Sequence, residues 1–177
     1  MKKIILFLVF PVILYCQNVI SKTTDSISVS KLITCQYDKF HDTYIFSLKK
    51  RMQLDKTRSY TSRYNLLMNI NAIKSRETPI PNLSINIISR SIRWKYLTTN
   101  EIAFLIDGKP LSLKIDNHLN DVIAGDLVVE YLYANIERDA FVSLANAKSV
   151  EIQIGLDEFI ISFEEREGLR EFVDNVD

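Results

Sequence analysis

Asp38, His41 and Asp42, in the run DKFHD, are of the residue types that bind metal ions or pass protons. Two carboxylates and an imidazole could suit a divalent cation, but ligand spacing alone is weak evidence, and DKFHD reads as a polar turn beside a strand. The only other histidine is His118, so most nucleophile–base arrangements have little to work with. The sequence contains no GxSxG, no HExxH and no glycine-rich phosphate loop. A carboxylate-based hydrolase needs no local motif and stands as a third reading. The expectation is a chain with no catalytic residue, no cofactor and no metal.

Charge offers a different chemistry. Residues 22–95 carry 14 Lys and Arg against 5 Asp and Glu, whereas residues 96–177 carry 6 against 17. The two halves can neutralise each other across neighbouring strands, since mixed charge on a folded surface is ordinary. Alternatively Lys49, Arg51, Arg63, Arg93 and Lys95 form a basic face for an anionic envelope component or an acidic protein surface. Nucleic acid is not expected as a partner outside the cytoplasm.

The elements that must position these residues are mostly strands. Period-two alternation runs through 31–38, 43–54 and 60–73, with Tyr44, Phe46, Leu48, Met52 and Leu54 on one face of the second run. In the third run Tyr60, Tyr64, Leu66, Met68, Ile70 and Ala72 point inward, while Asn65, Asn69 and Asn71 point outward. A DKTRS hairpin over 55–59 would pair Leu54 with Tyr60 and set Arg51 opposite Arg63, a costly juxtaposition of like charges. After TPIPN the alternation slips at Ile88, which predicts a bulge or bend near Ile87–Ile88 in preference to a short helix there. Residues 101–115 read as a hairpin turning at Asp107–Gly108, and 126–136 as another strand.

The stretch VSLANAKSVEIQIGLDEFIISFEEREGLREF completes the chain. Asp139 is expected to cap a short helix through Ala147 that buries Phe141, Leu144 and Ala145. VEIQI and EFIIS are strands joined through Gly155, Leu156 and Asp157. Ser162 and Glu165 read as a capping box for a helix over 163–174, with Phe163, Leu169, Phe172 and Val173 inward. The fold class follows: α+β, mainly antiparallel, a curled or sandwich-like sheet of seven to nine strands with two short helices near the C-terminus.

MKKIILFLVFPVILYCQNVIS has a basic start, twelve apolar residues from Ile4 to Tyr15 and a more polar tail. That is short for a membrane span and suits a signal peptide over 1–21, cut near Ser21 or, as second choice, after Cys16. Leu14-Tyr15-Cys16 loosely resembles a lipobox, which opens lipid anchoring at Cys16 as an alternative. A flexible lead-in over 22–30 and one globular domain over 31–177 follow, periplasmic or extracellular and without a transmembrane span after cleavage. Cys35, alone once the leader is gone, reads as a packed thiol.

The order helix, AKSVEIQIG, DEFIIS, closing helix LREF, with IDGKPLSL upstream, resembles the C-terminal part of uncharacterised exported bacterial proteins. The resemblance spans about 100–173 and rests on Asp107, Gly108, Ala145, Gly155, Phe159 and Leu169. It implies a shared fold and export, and transfers no catalytic residue. The leading functional expectation is an exported, non-catalytic domain that binds or scaffolds through a sheet face. Its competitor is a lipocalin-like barrel around a small apolar ligand.

Overall fold

A computed structural model describes residues 27–28, 30–56, 65–78, 80–123 and 127–176. The leader over 1–21 and most of the lead-in lie outside the described residues. Ile27–Ser28 form a short strand, β1, within the segment expected to be a flexible lead-in.

Strands β2 (Ile33–Asp38), β3 (Thr43–Leu48), β6 (Asn65–Ser75) and β7 (Asn82–Ser91) run as an antiparallel meander. On the far side of β7 lie β11 (Val128–Ile136) and then β10 (Asn117–Val122), giving the order β1-β2-β3-β6-β7-β11-β10. The two-residue strand β4 (Met52–Gln53) also pairs with β6. A smaller sheet contains β8 (Glu101–Ile106), β9 (Lys109–Lys114), β12 (Val150–Ile154), β13 (Asp157–Ile160) and β5 (Asp55–Lys56), in the order β5-β13-β12-β8-β9. Helices α1 (Arg138–Asn146) and α2 (Phe163–Val176) complete the mainly antiparallel α+β fold.

Alternation drives the packing. Met68, Ile70, Ile85, Ile87 and Leu132 are completely buried at the centre of the larger sheet's inner face. Ile102 and Phe104 of β8, Ile152 and Ile154 of β12, and Phe141, Leu169 and Phe172 of the helices join them in one core. Burial of each such side chain contributes about 1.5–3 kcal/mol. The described strands form two open sheets with edges and do not close into a barrel, which removes the architecture a lipocalin-like reading requires.

The run read as one strand over 43–54 is divided. Ser47 pairs with Asn71 and Met52 with Met68, so the chain from Leu48 to Met52 carries two more residues than the facing part of β6. Lys49, Lys50 and Arg51 form this exposed bulge. Leu54 then donates its N–H to the Leu66 carbonyl at 3.0 Å, and the next two residues enter the smaller sheet as β5. The expected Leu54–Tyr60 register is therefore wrong: the rung beside Met52–Met68 places Arg51 level with Asn69, not Arg63. Arg63, Tyr60 and Tyr64 lie outside the described residues.

The bulge expected at Ile87–Ile88 is also absent. Strand β7 keeps one register against both neighbours throughout, and the slip arises because Ile88 is buried on the sheet's other face. Helix α1 starts from Glu137 with no side-chain cap, Asp139 lying inside its first turn. In α2, Glu165 N–H does donate to Ser162 Oγ at 3.3 Å, but the Glu165 carboxylate accepts from Gln53 N–H instead of closing the box. Phe163 is exposed beneath the Arg166 and Arg170 guanidinium groups, and its expected inward place is taken by the aliphatic and cationic length of Arg166.

Candidate functional site

The larger sheet has a second face, made by the residues that alternate with the core set. Register aligns Thr34 with Ser47, Ser47 with Asn71, Asn71 with Ser84, and Ser84 with Asn135. This row of hydroxyls and amides crosses five adjacent strands. The next row aligns Asn69, Asn86, Tyr133 and Asn117. Beyond it lie Leu67, Ile88, Tyr131 and Leu119, and then Arg90, Val129 and Asp121. None of these aligned residues in the two central rows is charged, and Arg51 of the bulge stands level with Asn69 at the end of the second row. Both helices and the smaller sheet contribute to the core on the opposite face.

Hydrogen bonding differs between the rows. Ser47 Oγ donates to Asn71 Oδ1 at 2.7 Å, and Thr34 Oγ1 donates to the Ser47 carbonyl at 3.2 Å, so the first row is partly self-satisfied. In the second, Asn69 Oδ1 and Asn86 Oδ1 are buried and have no partner. Asn69 and Asn71 were legible as outward residues from alternation alone. The rows themselves were not, because they depend on the register between strands distant in sequence.

A second polar cluster sits at the end of the core. Glu130 occupies an inward position of β11 and is fully buried. Its carboxylate accepts the Lys95 and Tyr96 N–H groups, both at 2.9 Å. The Tyr96 hydroxyl donates to Asp157 Oδ2 at 2.8 Å, and Lys95 Nζ lies 3.3 Å from the same oxygen. Burial and the hydrogen bond to Asp157 push the Tyr96 phenol far above its ordinary range. His118 Nε2 stands 3.8 Å from Glu130 Oε1, an ion-pair distance when the ring is protonated but too long for a hydrogen bond. Both carboxylates hold the segment after β7 in place. The signal for Glu130 was present in the sequence as a lone acid within the inward phase of VVEYLYANI.

The candidate basic residues are spread over the molecule. Lys49 and Arg51 are exposed in the bulge, with Lys49 Nζ donating to the Ser30 carbonyl at 2.6 Å. Arg93 is exposed in the segment after β7, whereas the Lys95 side chain is mostly buried beside Asp157. A cavity of about 160 Å³ beside the bulge is lined by Lys50, Glu164 and Glu165 together with Leu32, Leu48, Met52 and Gly168. It is smaller than the roughly 300–1,000 Å³ of drug-sized ligand pockets.

In the DKFHD turn, Asp38 accepts Phe40 N–H at 2.9 Å and lies 2.6 Å from His41 Nδ1. The bond to His41 holds the Asp38 carboxyl below its ordinary range. Asp42 accepts instead from the Tyr37 hydroxyl at 2.6 Å and pairs with Arg76 at 3.3 Å. No group of three or more metal-ligating side chains occurs among the described residues. No helix of the described chain is long and apolar enough to cross a membrane.

No family model matches the chain, and neither a curated protein nor a solved structure does.

Proposed function

We propose that this chain is an exported, non-catalytic module that binds through the outer face of its larger sheet. The observation that carries this reading is the five-strand row from Thr34 to Asn135, polar and uncharged, on the face opposite the shared core. A face serving only solubility needs no such continuity, and charged side chains would serve it at least as well. Export rests on the basic and apolar character of residues 1–21.

The test is retention of the purified mature chain on isolated bacterial envelopes. Ser84→Arg puts a bulky charge in the middle of the row and should abolish retention, while Leu156→Arg at a hairpin tip, where Leu156 is 99% exposed, should not. Equal retention of wild type and both variants would overturn the reading.

A second reading places an anionic surface against the basic residues. The three consecutive exposed cations at 49–51 favour it. Against it, Lys50 shares its cavity with Glu164 and Glu165, and Lys95 is engaged by Asp157. Charge reversal at Lys50, which lines the cavity beside Glu164 and Glu165, and at Arg93 separates this reading from the first by abolishing retention while leaving the Ser84 face intact.

A further inference from the structure

The row Asn69–Asn86–Tyr133–Asn117 asks for a particular kind of ligand. Asn86 is 9% exposed, and its Oδ1, like that of Asn69 directly across the strand pair, is buried without a partner. Buried acceptors left unpaired are unfavourable, so two side by side on one face mark a place where donors are wanted. An amide side chain offers an acceptor and two donors, and a hydroxyl offers one donor with two acceptors. Neighbouring strands repeat these groups about 4.8 Å apart across the face.

Charge narrows the choice. An anion or a cation placed over Asn86, Tyr133 and Asn117 would give up hydration without meeting a counter-charge, since Arg51 is level only with Asn69 at the row's end and Arg90 and Asp121 lie two rows further on. A divalent cation would also need more oxygen ligands, carboxylates included, than two amides provide. A neutral polyol meets none of these objections, because each hydroxyl can both donate to an amide oxygen and accept from an amide N–H. Tyr131 and Tyr133, two residues apart on β11, add aromatic surface for the apolar faces of a sugar ring.

We infer that the outer face of the larger sheet binds a neutral glycan, with Asn69 and Asn86 accepting from sugar hydroxyls and Tyr131 and Tyr133 packing against ring faces. The inference rests on the reading of this face as the working surface, and it adds the ligand class.

The probe is native affinity electrophoresis of the mature chain in gels containing mannan, dextran or a soluble β-glucan, with alginate as the anionic comparator. At least one neutral polymer should retard the wild type, and alginate should not. Tyr133→Ala and Asn69→Ala should each weaken the retarding interaction about tenfold or more. Asn117→Ala, at the exposed end of the row, tests the same contact without touching a buried group, and Lys109→Ala on the smaller sheet should leave retardation unchanged. Retardation by alginate alone, lost in Tyr133→Ala, would overturn the assignment of a neutral glycan while sparing the face. Retardation by a neutral polymer that survives all three face variants would overturn both. Failure of every neutral polymer, or self-association through this face in sedimentation, would overturn the glycan assignment.

Discussion

At Glu130 a carboxylate stands where the alternation of β11 calls for an apolar residue, and two backbone N–H groups explain its place. The Glu130→Gln variant keeps the shape but leaves one of the Lys95 and Tyr96 N–H groups without its acceptor. It should lower stability by about 1–3 kcal/mol, read as a shifted urea midpoint with unchanged slope. An unshifted midpoint would mean that the segment after β7 is held by other contacts. Asp107 makes a pH-dependent argument of the same kind. Its Oδ1 accepts N–H bonds from Lys148 and Ser149, both at 2.8 Å, and those bonds, Ser149 first, hold its carboxyl below the ordinary range. A carboxyl depressed in the folded state binds its proton less readily than in the unfolded chain. Its contribution is therefore complete above the unfolded value and is lost as pH falls through the folded one. Between about pH 5 and pH 3 the melting temperature of Asp107→Asn should fall less steeply than that of the wild type. Asn keeps the turn, since it tolerates the positive φ of 49° found here. Parallel pH profiles would remove Asp107 from the acid response.

Among the elements, the hairpins explain why so much of the fold could be read in advance. Asp107 and Gly108 both have positive φ, the pairing a type I′ turn requires, and Ile106 faces Lys109 across it. Between β12 and β13 the loop is two residues, because Asp157 already pairs with Ile154. Gly155, with φ of 58°, takes the first place, where a side chain would also stand 3.3 Å from Thr99 Oγ1. Gly155→Val should therefore cost more than the roughly 1 kcal/mol expected for Ser162→Ala, which removes one cap from α2. Thermal melting of both variants ranks them, and the reverse order would refute the argument. Strands such as β8 and β12 were legible because each has one buried and one wet face. The NHLNDV strand, β10, is not legible in the sequence because it is an edge strand, largely exposed and with no apolar phase to mark it. The bulge at 49–51 was equally invisible, as the inward residues on both sides of it keep the same parity. Arg166 shows the limit of periodicity in helices: it is buried because its guanidinium donates to the Ile161 and Lys148 carbonyls, and no pattern of hydrophobicity announces that. Arg170 donates likewise to the Ala145 carbonyl, so α2 supplies cations to the end of α1, which has none of its own in its last turn.

At the scale of the molecule, the two sheets and both helices share one core, and this predicts a single cooperative transition. The chain has one tryptophan, Trp94, in the segment that Glu130 anchors between β7 and β8. Its fluorescence and the far-ultraviolet circular dichroism should give coincident urea transitions, and separated midpoints would show that the sheets unfold independently. The corner at Leu54 has a further consequence, for the order in which the molecule can assemble. Strand β5 leaves the ribosome early, yet Lys56 finds its partner, Phe159, only about a hundred residues later. Long-range pairing of this kind closes slowly, since loop entropy is lost before the contact forms. Until then β13 presents a bare edge. The smaller sheet is thus completed by one of the first strands made and one of the last. On the export reading, the same delay keeps the chain threadable until it has crossed the membrane.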